Sequence, residues 1–442
     1  MTAEQNKRQI PREDSGLISR CFNPGEDIGL INLGCARNLV DAQEILGRLR
    51  QMGCRIVDPA KASTIILNTC GFIEEAKKES VDMIVDLVEL KRQGKIKKLF
   101  VIGCLSQRYS KELSAEFAEI DGLAGINPFE TRIAPEQVYL TPDHFSYLKI
   151  CESCYNHCSF CAIPFIKGRF QSRSREAVLE EAIRLDQRGV KEINIIGQDI
   201  TAYGMDIYAG RELPALLREI CRETRNVEWV RLLYAYPAHV TDELISVVAE
   251  ESKICKYIDI PLQHINDRIL KKMNRGISSA QTKDLLAKIR CRIPEVRLRS
   301  SFIVGFPGET EGEFRELLDF LEEVRFDRAG AFVFSPEEGT PAFHFPDPVP
   351  DSVKRRRYDA LMRRQQKISK EALQKMVGMI FRVLVDEKQK PGENGYIART
   401  EYDAPEVDGS VFVYSDKDIR PGTFIQVRIT DALEYDLVGE LV

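Results

Sequence analysis

Tyr147-Leu148-Lys149-Ile150-Cys151-Glu152-Ser153-Cys154-Tyr155-Asn156-His157-Cys158-Ser159-Phe160-Cys161 is a strand-like run that opens into a cysteine loop. Cys154, Cys158 and Cys161 follow a C-x3-C-x2-C spacing. Thiolates so spaced on a short loop can converge on one face of an iron–sulfur cube. A 4Fe–4S cluster held wholly by protein takes four cysteines. Three leave one iron open to a small molecule, as an open position marks a working metal site rather than a closed structural one. Cys151 adds a C-x2-C at the head of the loop, and zinc would accept four cysteines at such spacing. A zinc knob usually caps a small module, whereas this loop tops a strand, so Cys151 is read as a bystander. His157, adjacent to Cys158, is a poor fourth ligand.

Working outward, the strand recurs. Tyr147–Ile150, Glu192–Ile196, Glu228–Tyr234, Tyr257–Ile260, Leu298–Val304 and Ala329–Phe334 are strand-like and are separated by helical patterns. A full βα barrel has eight such units. Six predict an open, crescent-shaped partial barrel with its active face where the strands end. Those ends read Gly197-Gln198-Asp199, Tyr236-Pro237, Pro261-Leu262-Gln263-His264 and Gly305-Phe306-Pro307-Gly308-Glu309. Gln198, Gln263 and Gly305 are candidates for holding a polar cofactor near the open iron, with Arg231 on the third strand. Gly and Pro also simply end strands. Cys221, Cys255 and Cys291 fall in helix or helix–strand settings and read as core.

Upstream, three more runs end in cysteine. Ile28–Leu33 leads to Gly34-Cys35, Thr64–Leu67 to Asn68-Thr69-Cys70, and Leu99–Ile102 to Gly103-Cys104. Each precedes a helical stretch (Leu39–Met52, Ile73–Lys91, Tyr109–Phe117). Alternation of this kind predicts a doubly wound parallel sheet, whose ligands bind beyond the carboxyl ends of the strands. Cys35, Cys70 and Cys104 all fall there, so a second three-thiolate cluster is expected. Cys54, at the opposite end, reads as ordinary core.

Downstream, Ser335–Pro350 is proline-rich and reads as a stiff connector. Asp351 opens a charged helix whose Lys354-Arg355-Arg356-Arg357 cluster reads as a solvated face. From Val377 onward, five short strand-like runs separated by turn residues, among them Pro391-Gly392, predict a small barrel of the oligonucleotide-binding type. That segment carries seven Lys/Arg against thirteen Asp/Glu. The balance repels phosphate and suits a basic protein partner.

The expected class is therefore α/β in three parts. A doubly wound parallel sheet occupies 26–143, an open (β/α)6 partial barrel 144–376, and a five-stranded OB-like β-barrel 377–442. A length of 442 residues and 43% hydrophobic content suit several real cores. A net charge of -5 gives no general pull toward nucleic acid. Twelve cysteines behind a polar start, Met1 to Asp14, read as metal ligands in a reducing, cytoplasmic setting. The first two dozen residues, Cys21 included, read as a loose tail. No apolar run is long enough to span a bilayer.

The C-x3-C-x2-C loop resembles the radical S-adenosylmethionine signature, and nearly the whole chain, from about Gly29, resembles the methylthiotransferase family. Leu33-Gly34-Cys35-Ala36-Arg37-Asn38, Asn68-Thr69-Cys70-Gly71-Phe72-Ile73, Gly103-Cys104-Leu105-Ser106-Gln107-Arg108 and a terminal TRAM domain carry the likeness. Asp259-Ile260-Pro261-Leu262-Gln263-His264 and Asp431–Glu440 are similar to the branch that acts on ribosomal protein S-twelve; sister enzymes modify adenosines in transfer RNA. The resemblance implies a radical cluster on Cys154, Cys158 and Cys161 and an auxiliary cluster on Cys35, Cys70 and Cys104, both 4Fe–4S. It implies S-adenosylmethionine on the open iron, split by one electron to methionine and a deoxyadenosyl radical. That radical would take hydrogen from the β-carbon of an aspartate; sulfur carried at the auxiliary cluster would join the carbon, and a second S-adenosylmethionine would supply the methyl. It further implies an electron donor such as flavodoxin or ferredoxin, a monomer, and no membrane. No acid–base side chain is assigned. Relatives carry glycine where this chain has Ser153, asparagine at Tyr155, and arginine at Lys167. Three other functions are weighed against this one: a transfer-RNA adenosine methylthiotransferase, an iron–sulfur electron-transfer or cluster-carrier protein, and a zinc-stabilised RNA-binding protein.

Overall fold

The computed structural model describes residues 21–126, 128, 138–389 and 394–442. The expected tail up to residue 20 and the turn at Pro391-Gly392 lie outside them. The described chain divides into two compact units, one running up to Leu140 and including Phe165–Lys167, the other holding Thr141–Pro164 and Gly168–Val442.

The first unit alternates β1 (Asp27–Asn32), α1 (Ala36–Gln51), β2 (Arg55–Ile56), β3 (Thr64–Thr69), α2 (Glu74–Arg92), β4 (Lys98–Gly103), α3 (Cys104–Glu116) and β5 (Gly122–Leu123). The sheet order is β2-β1-β3-β4-β5, parallel throughout. β3 is buried at every residue, as a central parallel strand covered on both faces must be. Two departures from expectation have physical causes. Phe22 is buried with its ring centre 4.7 Å from that of Phe100, so the chain joins the core earlier than the tail reading allowed. α3 begins at Cys104 rather than near Tyr109, because Gly103 turns the chain at φ 98° directly into the helix.

The second unit opens with β6 (Phe145–Lys149), then β7 (Cys151–Glu152) and β8 (Gln171–Ser172); between these two in the chain lies α4 (Ile163–Lys167), of which Phe165–Lys167 belongs to the first unit. β7 and β8 pair as a short hairpin at the base of the cysteine loop. Then follow α5 (Arg175–Gln187), β9 (Glu192–Ile196), α6 (Leu213–Glu223), β10 (Trp229–Leu232), α7 (Asp242–Glu250), β11 (Ile254–Asp259), α8 (Asp267–Lys272), α9 (Ser279–Arg292), β12 (Arg297–Val304), α10 (Glu311–Val324) and β13 (Arg328–Val333). The six-stranded sheet runs β13-β12-β11-β10-β9-β6 and does not close on itself. Capping boxes start α9 (Ser278 with Gln281) and α10 (Thr310 with Glu313), satisfying amides that would otherwise lack partners.

After α11 (Asp351–Gln374) come β14 (Ile380–Lys388), β15 (Gly395–Thr400), β16 (Val411–Tyr414), β17 (Phe424–Ala432) and β18 (Leu437–Leu441), a closed barrel in the order β14-β15-β16-β18-β17. Val383, Tyr396, Val411, Val427 and Leu437 fill it, and Leu373 and Met376 at the end of α11 join that core.

This small barrel is tied to the large one through the segment from Arg399 to Asp408. Every strand of the open barrel contributes one side chain to it: Tyr147 to Glu406 (2.8 Å), Glu192 to Arg399 (2.7 Å), Arg231 to the Glu401 carbonyl (2.6 Å), Tyr257 to Asp408 (2.6 Å), Arg299 to Asp408 (3.4 Å) and Arg328 to Asp403 (2.7 Å). The acid excess of the small barrel is thus partly internal. Asp386, Asp403, Glu406 and Asp408 face charged or hydroxyl groups of their own chain, so acidity alone does not mark a docking face for a basic partner.

Three readings of the middle of the chain are corrected. Cys291 is exposed, on the solvent side of α9, while Cys221 and Cys255 are buried. The basic cluster of α11 is only partly solvated: Lys354 and Arg357 are buried, and Arg357 pairs with Glu309 at 3.2 Å. The proline-rich stretch is more than a connector, since Ala342 donates to the Ser159 carbonyl (2.8 Å) inside the cysteine loop.

Candidate metal centres

In the first unit, the carboxyl ends of β1, β3 and β4 present Cys35, Cys70 and Cys104. Asn38 staples these ends together. Its Nδ2 donates to the Leu33 and Thr69 carbonyls, each at 3.2 Å, and its Oδ1 accepts from the Cys104 thiol at 3.8 Å. Asn68 adds bonds to Asn32 Oδ1 (2.8 Å) and the Asn38 carbonyl (2.9 Å). Neither asparagine was singled out from sequence beyond its place in a motif. Glycine is required beside two of the cysteines. Gly34 has φ 102°, and a Cβ there would stand 3.3 Å from Cys70 Sγ; at Gly103 a Cβ would meet the Thr69 carbonyl at 2.6 Å.

Cys104 feels the charge of Cys70 and Cys35, and Cys70 that of Cys35. Burial pushes Cys104 up to about 12, with Cys70 and Cys35 adding to the rise. Burial also raises Cys70. Cys35 moves down: burial is the largest single influence and opposes this, but the Arg37 charge and the amides of Asn38 and Arg37 outweigh it. A site that mixes buried thiols with amide donors and a cation suits an anionic thiolate cluster.

In the second unit, the cysteine loop is pinned from below. Ser159 donates its amide to the Met273 carbonyl (3.0 Å) and its hydroxyl to the Lys272 carbonyl (2.8 Å), and Asn274 Nδ2 donates to the His157 carbonyl (2.7 Å). Phe160 packs on the apolar cluster of Ile269, Met273, Ile303, Phe306 and Phe334. Ser153 holds the left-handed backbone (φ 62°) that glycine would take without cost, and its hydroxyl donates to the Gly168 carbonyl at 2.6 Å. Cys154 accepts from the Asn156 amide (3.4 Å) and side chain (3.6 Å), and Cys158 from Arg275 Nη1 (3.4 Å). Burial, then the nearby Asp199 carboxylate, pushes Cys154 up to about 11. Asp199 is itself bound by Asn156 (2.7 Å) and His239 (2.9 Å). Cys151 is buried, its thiol on the Asp199 carbonyl at 3.6 Å.

Among the described residues no three Cys, His, Asp or Glu side chains gather tightly enough for a single metal ion. A cube makes a different demand: three thiolates at three corners rather than at one point. Both triads fit that demand by donor type, each with N–H groups beside its sulfurs.

The four cofactor candidates are placed differently. Gln198 is half-buried one residue before Asp199, and its Oε1 has no partner among the described residues. Gln263 follows β11 with φ 73°, its backbone bridging Ser301 and Ile303 of β12. A left-handed non-glycine residue held in this way at a strand end is typical of functional sites. Gly305 gives its amide to the Glu309 carboxylate, and a Cβ there would strike Lys354 Cγ at 2.3 Å, so packing explains the glycine. Arg231 is fully buried mid-strand, with Nε on Glu192 (2.8 Å) and Nη1 on the Glu401 carbonyl. It is not brought to the cysteine loop.

Residues 148–321 match the Radical SAM superfamily, residues 27–125 the family described as "Uncharacterized protein family UPF0004", and residues 377–442 the TRAM domain. Ribosomal protein uS12 methylthiotransferase RimO of Desulforamulus reducens is 45% identical over 441 residues, covering 94% of this chain and 99% of its own length. The chain belongs to the uS12 methylthiotransferase family. Members from Alkaliphilus oremlandii and Clostridioides difficile are 43% and 42% identical, each over 94% of this chain and at least 98% of their own. Among solved structures, the radical S-adenosylmethionine methyltransferase TsrM of Kitasatospora setae superposes with a TM-score of 0.54 at 14% identity, covering 72% of this chain and 77% of its own. At that identity the likeness is one of fold. For a member of the uS12 methylthiotransferase family, the six expected cysteines all stand at strand ends or on the loop that follows one.

Proposed function

We propose that this chain attaches a methylthio group to the β-carbon of an aspartate side chain in ribosomal protein uS12, using two 4Fe–4S clusters and S-adenosylmethionine. The carrying observation is the pair of three-thiol sets, one at the carboxyl ends of three parallel strands and one on the loop that follows a parallel strand, each beside N–H donors. The names of the full-length relatives supply the substrate. When bound, the cluster of the second unit supplies an electron to S-adenosylmethionine, giving access to a C–H bond that acid–base side chains cannot break.

This chain's own residues would hold and shelter. Lys272, Met273 and Asn274 fix the loop backbone from His157 to Ser159. Asp199, its carboxylate oriented by Asn156 and His239, and the unpartnered Gln198 amide oxygen offer polar anchors for an amino or ribose group beside the loop. A small one-electron carrier of flavodoxin or ferredoxin type would feed the site. The enzyme would act as a cytoplasmic monomer, where reduced thiols persist. No helix among the described residues is long and apolar enough to cross a membrane.

With part of its acid excess turned inward, the small barrel no longer argues strongly against RNA. The preference for a protein substrate therefore rests on family membership. Anaerobically reconstituted enzyme given S-adenosylmethionine and either a uS12 peptide or transfer RNA decides the matter. Methylthio-aspartate is expected, and methylthio product on RNA alone refutes the reading.

A further inference from the structure

Five arginines are buried in the described chain: Arg231, Arg275, Arg328, Arg357 and Arg399. Four of them face carboxylates: Arg231 faces Glu192 (2.8 Å), Arg328 Asp403 (2.7 Å), Arg357 Glu309 (3.2 Å) and Arg399 both Asp386 and Glu192 (2.7 Å each). Arg275 is the exception. Among the described residues it makes no ion pair. Its Nη2 donates to the Pro261 carbonyl (2.6 Å), its Cζ lies 4.2 Å from the centre of the Tyr236 ring, and its Nε is buried without a partner among the described residues. Among the described residues, the one group within hydrogen-bond reach that can carry negative charge is Cys158 Sγ, 3.4 Å from Nη1.

A guanidinium taken out of water without a counter-charge is costly. Here it is also rigidly aimed. Asn274, just before it, is held in the left-handed region (φ 56°) with its side chain on the His157 carbonyl, so one short turn both pins the loop backbone and delivers the cation to its middle cysteine.

We propose that Arg275 is the resident counter-charge of the cluster held by Cys154, Cys158 and Cys161, a positioning residue that raises that cluster's reduction potential through Cys158. The inference rests on the cluster reading given above. One electron taken up makes the cluster–thiolate unit more negative by one charge. A fixed cation at one sulfur favours that state over the oxidised one, because hydrogen bonds and net charge at the sulfurs set such potentials. Lysine in place of arginine would keep the charge and lose the planar fork that reaches Pro261 and Cys158 together.

The test is an EPR-monitored redox titration of the full chain, reconstituted anaerobically with iron and sulfide and reduced with dithionite. A Cys70→Ala background leaves this cluster alone to give the signal. Arg275→Gln is expected to lower the reduction equilibrium constant about tenfold, equal to about 59 mV for a one-electron couple. Arg275→Lys is expected to lower it by less than half of that. Equal midpoints in all three proteins, at equal iron content, overturn the inference. Should the glutamine variant hold no iron, the lysine variant decides: recovery of iron with a midpoint near the parent's sustains the counter-charge, and failure to recover either overturns it in favour of packing. Absence of iron from this site in the Cys70→Ala parent refutes the cluster reading instead.

Discussion

Arg399→Met should loosen the small barrel from the open one without unfolding the first unit. The guanidinium is fully enclosed. It forks onto Asp386 (2.7 and 2.9 Å), reaches Glu192 (2.7 Å) and donates to the Asp403 carbonyl (3.1 Å). Breaking a buried pair from one side costs about 3–5 kcal/mol, because the opposite charge is left without compensation. The low end applies here. Glu192 keeps Arg231 (2.8 Å) and Asp386 keeps His144 (2.8 Å), so neither carboxylate is stranded. About 3 kcal/mol corresponds to a rise of about 150-fold in the population of the opened state. Hydrogen–deuterium exchange with mass spectrometry on the full chain reads this directly. Peptides covering β14–β18 should exchange faster by roughly that factor, while those from β1, β3 and β4 stay as in the parent. Unchanged protection across β14–β18 would refute the view that this network holds the two barrels together.

Two further outcomes follow from single side chains. At Ser153, glycine should cost less stability than alanine by about 1 kcal/mol, since both lose the bond to Gly168 but only alanine keeps the left-handed strain; urea midpoints of the two variants check the order. Asp386 bears on acid stability. Burial is the largest influence and pushes its pKa up, yet the His144 bond and the Arg399 charge win and hold it below the usual carboxylate range. Its contribution is thus present above the unfolded value, about 3.9, and is lost as pH falls through the lower folded value. Asp386→Asn should flatten that part of the acid-unfolding curve, and an unaltered curve would show the pair to be inert.

Much of this architecture could be read along the chain because local signals and the global fold agree. The apolar runs ending at Cys70 and Cys104 are buried parallel strands, and such strands need no alternation to be recognised; the run ending at Cys35 is a half-buried strand of the same sheet. The loop at Cys154 could be read from spacing alone. What sequence missed lies in long-range charge. Arg231 reads along the chain as a cofactor candidate on the third strand, whereas its guanidinium is held by the Glu192 carboxylate and by the Glu401 carbonyl, 170 residues away. The acids from Asp403 to Asp408 counted as surface for the same reason. Cys291 looked like core because it lies in a helical pattern, and the pattern did not show which side faces water. Arg275 had no signal at all: a lone arginine after Asn274 acquires meaning only when α8 ends beneath Cys158.

Metal content decides the central claim. Iron and acid-labile sulfide should be counted, by mass spectrometry and colorimetry, on anaerobically reconstituted wild type, Cys35→Ala and Cys154→Ala. Two cubes predict about eight irons per chain in the wild type and about four in each variant, with a different cluster lost in each. A wild-type count near four, or a single substitution that empties both sites, would contradict it.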